Sequence, residues 1–155
     1  DSRLSRGLGD VYKRQLERLL GGMGLMQPSS TYHQFAVGMT GGKMSSSQPE
    51  TTIFLNDSMK SIEKKIKASF SGGQSTIEEH RSKGGNPEID VAYQYLRYFF
   101  EVDDNELNKI REEYISGELL TGEIKAICVD KATTWMKTHH ELKDQNQHLV
   151  KDFLN

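Results

Sequence analysis

The stretch Asp57-Ser58-Met59-Lys60-Ser61-Ile62-Glu63-Lys64-Lys65-Ile66-Lys67-Ala68-Ser69-Phe70 decides the fold. Met59, Ile62, Ile66 and Phe70 recur three or four residues apart, which places them on one side of a helix, while Lys60, Glu63, Lys64 and Lys67 fill the other. Asp57 is positioned to cap the first turn, because a carboxylate accepts the amides left free there. Gly72-Gly73 then ends the element. A helix with a single apolar face needs further elements to cover it, and the chain beyond residue 73 is read for them.

Thr76, followed three residues later by Glu79, is a capping-box signal for a second, short helix, which Gly84-Gly85-Asn86-Pro87 breaks. Asp90 to Glu101 is the most apolar segment, with Val91, Ala92, Tyr95, Leu96, Tyr98, Phe99 and Phe100. Aromatic residues suit strands too, but length and flanking caps favour a buried helix. Asp103 opens another helix, which carries Leu107, Ile110 and Tyr114 and closes near Gly117. Thr121 to Leu154 reads as one long helix in which Cys128, Trp135, Leu142 and Leu149 fall seven apart, with Ile124 and Phe153 in support. That stripe suits packing against a bundle and is too sparse for a free coiled coil. The residues alone therefore predict a mainly α-helical domain.

At 155 residues the chain is long enough for one compact domain with a moderate core. Its 20 basic and 22 acidic residues nearly balance, so bulk charge announces no nucleic-acid partner, and any such surface has to be a local patch. A single cysteine, Cys128, excludes an internal disulfide framework, suits a reducing cytosol and reads as a small buried apolar residue. No apolar run is long enough to span a membrane, and Leu19 to Met26 is too short and glycine-broken for a secretory signal.

Upstream of the first helix lies Gly41-Gly42-Lys43-Met44-Ser45-Ser46-Ser47. Glycines let backbone turn tightly and approach a ligand. A lysine supplies a mobile positive charge, and hydroxyls supply donors for phosphate oxygens. That set suits a polyphosphate leaving group, because phosphoryl chemistry is mostly positioning and charge stabilisation. The spacing is not that of a P-loop, and a mobile surface turn is the plain alternative. Residues 1 to 15 show no clear periodicity and read as a non-native leader. Leu16 to Met26 mixes apolar residues with glycine, and Pro28 to Ser30 punctuates the chain before a short strand or helical turn at Thr31 to Met39.

Lys43-Met44-Ser45-Ser46-Ser47 resembles the KMSKS signature of class I aminoacyl-tRNA synthetases. The flanks Pro28-Ser29-Ser30-Thr31-Tyr32-His33 and Pro49-Glu50-Thr51-Thr52-Ile53-Phe54-Leu55-Asn56-Asp57 are similar to those of the tryptophanyl-tRNA synthetases of archaeal and eukaryotic type. So is Phe70-Ser71-Gly72-Gly73-Gln74-Ser75-Thr76-Ile77-Glu78-Glu79-His80-Arg81, and shorter strings such as Leu120-Thr121-Gly122-Glu123 carry the resemblance towards the C-terminus. The resemblance implies a helical anticodon-binding domain at 57–155, preceded at 16–56 by the C-terminal end of a Rossmann-type catalytic domain. It implies ATP-dependent activation of tryptophan and transfer to its tRNA, in the cytoplasm, by an enzyme that is a homodimer when intact and that takes ATP with Mg²⁺. Lys43, Ser45, Ser46 and Ser47 would then stabilise departing pyrophosphate, and the backbone near Met44 would meet adenine.

The same resemblance places Gln74, Ser75, Thr76, Glu78 and Arg81 near the anticodon, although Gln74 and Ser75 depart from the charged residues that related enzymes often carry. From the residues alone, Glu78 to Arg81 is a solvated helix face, and so is the basic row Lys60, Lys64 and Lys67, which is otherwise suited to a tRNA backbone. Trp135 reads as core, and His139, His140 and His148 as surface residues without metal-ligand spacing. No H-x-G-H string occurs, so the 155 residues alone are expected not to aminoacylate. A tyrosyl-tRNA synthetase of archaeal type, or a non-catalytic tRNA-binding module, remains open on this reading.

Overall fold

The computed structural model describes residues 36–150 and, before them, the single positions Gln15, Arg18, Leu19, Gly22 and Met23. The expected leader at 1–15, the stretch from Leu16 to the signature loop and the tail from residue 151 otherwise lie outside the described residues. The chain divides into two compact units, Asp1–Phe35 and Ala36–Asn155, and every element below belongs to the second.

Among the described residues that unit holds five α-helices: α1 Met59–Lys67, α2 Ile77–Lys83, α3 Val91–Tyr95, α4 Asp104–Ser116 and α5 Thr121–Gln145. Short 3-10 turns stand at Pro49–Thr51 and Gln147–Leu149. No strand occurs among the described residues, in line with the predicted mainly α-helical domain. α5 packs mainly against α1 and α3, and α4 lies against α2 and α5. The core is built from Ile62 and Ile66 of α1, Val91 and Leu96 around α3, Ile110 and Tyr114 of α4, and Ile124, Cys128 and Met136 of α5. Burying an aliphatic side chain of this size contributes about 1.5–3 kcal/mol, so these residues hold the unit together. Burial pushes the Cys128 thiol up to about 12, which leaves it an inert packing group.

Helix starts follow the short polar residues. Thr76 Oγ1 accepts the Glu79 N–H at 3.1 Å and Asp90 Oδ1 accepts the Tyr93 N–H at 3.0 Å. Gly117 closes α4 in the left-handed region, at φ 80°. Beyond Tyr95 the backbone widens into a π turn over Leu96–Phe100, closed by the Glu101 N–H to the Leu96 carbonyl at 2.8 Å. One extra residue per turn rotates Tyr98, Phe99 and Phe100 into an aromatic cluster beside the signature loop.

Four details of the sequence reading are corrected. The cap of α1 is Ser58, whose Oγ accepts the Ser61 N–H at 3.2 Å. Asp57 instead receives the Phe54 N–H at 2.9 Å and the Lys65 ammonium at 2.6 Å, because a lysine two turns along the helix reaches back over it. Phe70 is not on the α1 stripe: the helix stops at Lys67, and the Phe70 N–H bonds to the Met39 carbonyl at 2.8 Å. On α5 the buried line is Ile124, Cys128, Ala132 and Met136, four apart, whereas Trp135 is 46% and Leu142 54% exposed. The seven-residue stripe fails because the buried line runs in four-residue steps, and Trp135, one position from the buried Met136, lies on a different side of α5. The long helix also ends at Gln145 rather than Leu154.

The Asp57–Lys65 pair gives the unit an acid dependence. Burial works to raise the Asp57 carboxyl, but its bonds from Lys65, the Phe54 N–H and Ser61 outweigh it and hold it below its ordinary 3.8. A depressed folded value means the unfolded chain binds the proton more readily, so the contribution is complete above the ordinary value and is lost as pH falls through the folded one. Denaturant midpoints are expected to drop below about pH 4, and Asp57→Asn to flatten part of that drop. A variant with an unchanged acid limb would show that the pair contributes nothing.

Candidate functional site

The signature loop is pinned at its base and open at its tip. Met39 is buried; its N–H donates to the Thr51 carbonyl at 2.9 Å and its own carbonyl receives the Phe70 N–H at 2.8 Å. The turn closes through the Gly38 N–H to the Gly42 carbonyl at 2.7 Å and the Gly41 N–H to the Gly38 carbonyl at 2.9 Å. Gly41 sits at φ 81° with the Phe70 ring 3.2 Å from where a Cβ would stand, so the turn requires glycine there. A Gly- and Ser-rich composition suggested a loose segment; tertiary hydrogen bonds make its base part of the helical unit.

Lys43 lies exposed at the tip and makes no hydrogen bond or ion pair among the described residues, which leaves its charge available to a ligand. Ser46 is likewise exposed, and the Ser45 and Ser47 hydroxyls are 2.8 Å apart. The three serines and Lys43 thus form one polar tip, whereas Met44 turns inward against the core.

The hub of the loop is Thr51, which the sequence reading placed only in a flank. It is 4% exposed; its Oγ1 accepts the Ser45 N–H at 3.0 Å and donates to the Gln48 carbonyl at 2.8 Å. Only a buried position distinguishes this threonine from its neighbour Thr52, and burial is not visible in sequence. Thr51→Val keeps the volume and removes both bonds, so it is expected to cost about 1–3 kcal/mol. Chemical denaturation should show that loss, and limited proteolysis should show faster cleavage between residues 41 and 48; equal cleavage rates would remove Thr51 as the hub.

Beside the loop runs an apolar groove of about 360 Å³ lined by Met44, Ile53, Leu55, Phe99 and Trp135. Trp135, expected in the core, forms its wall and stacks on the His139 imidazole, with centroids 5.5 Å apart and planes 4° from parallel. His140 Nε2 lies 2.8 Å from the Leu55 carbonyl, so this end of α5 is fastened to the segment that leaves the loop.

A second concave region, of about 340 Å³, opens where α2 and α5 begin, far along the chain from the loop. Gln74, Ser75 and Thr76 line it, and Glu78 and Arg81 do not. Glu78 is exposed, while Arg81 Nη1 donates to the Gly117 carbonyl at 2.9 Å and to the Glu118 carbonyl. The arginine thereby ties α2 to the turn between α4 and α5. Sequence reasoning missed His80, Thr121 and Glu123, which line it together with Ile77, Leu120 and Gly122. His80, 3% exposed, is held by the Leu119 carbonyl at 3.0 Å and by the Tyr114 ring at 5.1 Å. It belongs to the interior, not to the solvated face predicted for Glu78 to Arg81. The recurrence of Gly72-Gly73 and Leu120-Thr121-Gly122-Glu123 as family-like strings was the available signal that these distant segments serve one place.

The basic row on α1 is partly engaged. Lys67 pairs with Glu63 at 2.6 Å across one turn, while Lys60 and Lys64 are exposed. Lys125 of α5 donates to the Lys67 and Ser69 carbonyls at 3.1 and 2.6 Å, capping the end of α1 with a positive charge.

A sequence model of the family tRNA synthetases class I (W and Y) matches residues 4–136. The tryptophan--tRNA ligase of Sulfolobus acidocaldarius is 47% identical over 147 residues, covering 93% of this chain and 39% of that protein. The cytoplasmic tryptophan--tRNA ligase of Homo sapiens is 38% identical over 149 residues, covering 94% of this chain and 31% of that protein. Among solved structures, tryptophanyl-tRNA synthetase from Aeropyrum pernix K1 superposes with a TM-score of 0.86 at 33% identity, over 92% of this chain and 40% of that one. A tyrosyl-tRNA synthetase from Aeropyrum pernix shares the fold, with a TM-score of 0.65 at 16% identity over 87% of this chain and 41% of that one. The chain thus spans between about three tenths and two fifths of the length of these relatives.

Proposed function

The chain belongs to the class I tRNA synthetases (W and Y), and from that membership we propose that the protein it represents is a tryptophan–tRNA ligase, activating tryptophan with ATP and transferring it to tRNA. The observation that carries this reading is the 47% identity to a tryptophan--tRNA ligase across 93% of the chain, against 16% to the tyrosyl relative, which speaks for fold alone.

In that reading Lys43 and the hydroxyls of Ser45, Ser46 and Ser47 meet the phosphates of ATP, which arrives as its Mg²⁺ complex. As the carboxylate of tryptophan attacks the α-phosphorus, negative charge moves onto the leaving pyrophosphate. An exposed ammonium on a pinned loop stabilises that charge more in the transition state than in bound ATP, which is what accelerates the step. Exposure of Lys43 and the fixed base at Met39 and Thr51 support this role. The cavity at Gln74, Ser75 and Thr76 serves the anticodon; Glu78 and Arg81, which the resemblance also implicates, lie on α2 outside its lining. Homodimerisation and a cytoplasmic setting complete the reading; no described helix is long and apolar enough to cross a membrane.

The test is ATP–pyrophosphate exchange by the intact protein with tryptophan and with tyrosine in parallel. Exchange with tryptophan is expected, followed by charging of its tRNA; exchange with tyrosine alone would overturn the assignment.

A further inference from the structure

We infer that Lys65, a residue of α1 outside the signature string, is a positioning residue for the loop: it holds the chain leaving the loop so that the Lys43 ammonium arrives where pyrophosphate departs. This rests on the ligase reading above.

The direction of Lys65 is set by packing. Its neighbours on α1, Ile62 and Ile66, are buried in the core, which fixes the rotation of the helix about its axis. From the last turn of α1 the Lys65 ammonium donates to the Thr52 carbonyl at 2.7 Å and to Asp57 Oδ2 at 2.6 Å. It also lies 4.9 Å from the centre of the Phe54 ring. Asp57 Oδ2 in turn accepts the Phe54 N–H at 2.9 Å, and Oδ1 accepts from the Ser61 hydroxyl of α1 at 3.2 Å. One lysine, its side chain 13% exposed, thus gathers Thr52, Phe54 and Asp57 onto the helix.

That hold passes to the tip through the backbone. Thr52 follows Thr51, and Thr51 Oγ1 accepts the Ser45 N–H at 3.0 Å. The Ser45 hydroxyl stands 2.8 Å from that of Ser47, and Lys43 is two residues before Ser45. At the entry of the loop the Phe70 N–H holds the Met39 carbonyl at 2.8 Å, and Phe70 is five residues beyond Lys65. Entry and exit are therefore both fastened at the C-terminal end of α1. That end is itself fixed, because Lys125 of α5 holds the Lys67 and Ser69 carbonyls at 3.1 and 2.6 Å. The loop is carried by α1 as one piece.

The consequence is kinetic. A charge assists a developing anion only from the right place, and a displacement of about 1 Å costs on the order of 10²-fold in rate. Lys43 makes no hydrogen bond or ion pair among the described residues, so the backbone beneath it decides where its ammonium reaches. Lys65 is committed to Thr52 and Asp57 and acts only through that backbone.

The test is a double-mutant cycle in the intact protein, read by tryptophan-dependent pyrophosphate exchange. Lys65→Met keeps the length of the side chain and removes the ammonium. It is expected to lower turnover about tenfold and to leave the Michaelis constant for tryptophan unchanged. In a Lys43→Ala background the same substitution should have little further effect, because the group it positions is gone. A merely structural role would cost the same factor in both backgrounds, since loss of folded enzyme does not depend on Lys43. Lys65→Arg should restore part of the turnover. Thermal melts of each variant identify misfolding. If Lys65→Met does not fold, Asp57→Asn combined with Lys65→Met replaces it in the cycle, because that pair leaves no carboxylate without its partner. Equal losses with and without Lys43, or full turnover of the Lys65 variant, overturn the positioning role while the ligase reading stands. An unsubstituted protein without tryptophan-dependent exchange overturns the ligase reading itself.

Discussion

Lys43→Ala in the intact protein is expected to lower tryptophan-dependent pyrophosphate exchange by about 10²- to 10³-fold, the usual loss when one preorganised donor to a developing charge is removed. Lys43 is exposed and makes no hydrogen bond or ion pair among the described residues, so the same substitution should leave the thermal midpoint unchanged. That combination separates a transition-state role from a structural one. If the ammonium acted only on bound ATP, the Michaelis constant would rise with little change in turnover. Lys43→Arg should recover part of the rate, because a planar guanidinium keeps the charge but places it differently. Full activity of Lys43→Ala would remove the loop from catalysis.

The largest effect on folding is expected at Gly84. It ends α2 at φ 72°, and a Cβ there would collide with the Ile115 carbonyl of α4. Its N–H closes the helix on the His80 carbonyl at 2.8 Å, and the next N–H, of Gly85, bonds across to the Tyr114 carbonyl at 2.8 Å. An alanine therefore meets both an unfavourable backbone region and a backbone atom that has no room to retreat. Gly84→Ala should cost about 3 kcal/mol or more, enough to lower the midpoint by on the order of 10 °C. Gly122→Ala is the control: nothing lies within 4 Å of its Cβ position, and it sits in the first turn of α5, so it should be neutral or slightly stabilising. Equal melting of the two variants would refute the close approach of α2 and α4.

The glycine pairs show how far the sequence could be read. Gly72-Gly73 and Gly84-Gly85 were legible as breaks between helices, and that is where helices are absent. Their further role, as contact points where two backbones or a backbone and a ring touch, depends on Asn86, Ile115 and Tyr114, and no local pattern names those partners. Trp135 makes the same point in reverse. Its seven-residue spacing from Cys128 is a real helical periodicity, but periodicity gives a direction around the helix and not what stands there. The packed side of α5 carries Met136, and the indole, one position away around the helix, lines a groove.

By itself the sequence determined the elements and the family. The helix over Met59–Lys67, the start of the long helix at Thr121, the capping residues at Thr76 and Asp103, and the string Lys43 to Ser47 are local, because short-range hydrogen bonds and side-chain spacing act within a few residues. Only the tertiary structure decided that Thr51 holds the loop, that Asp57 belongs to Lys65 and not to a helix end, and that Asp90, Tyr114 and Thr121 form one hydrogen-bonded chain. Each of those depends on which polar group is buried and which partner arrives from a distant segment. Burial makes an unpaired polar group costly, and that cost selects the partner only once the helices have packed.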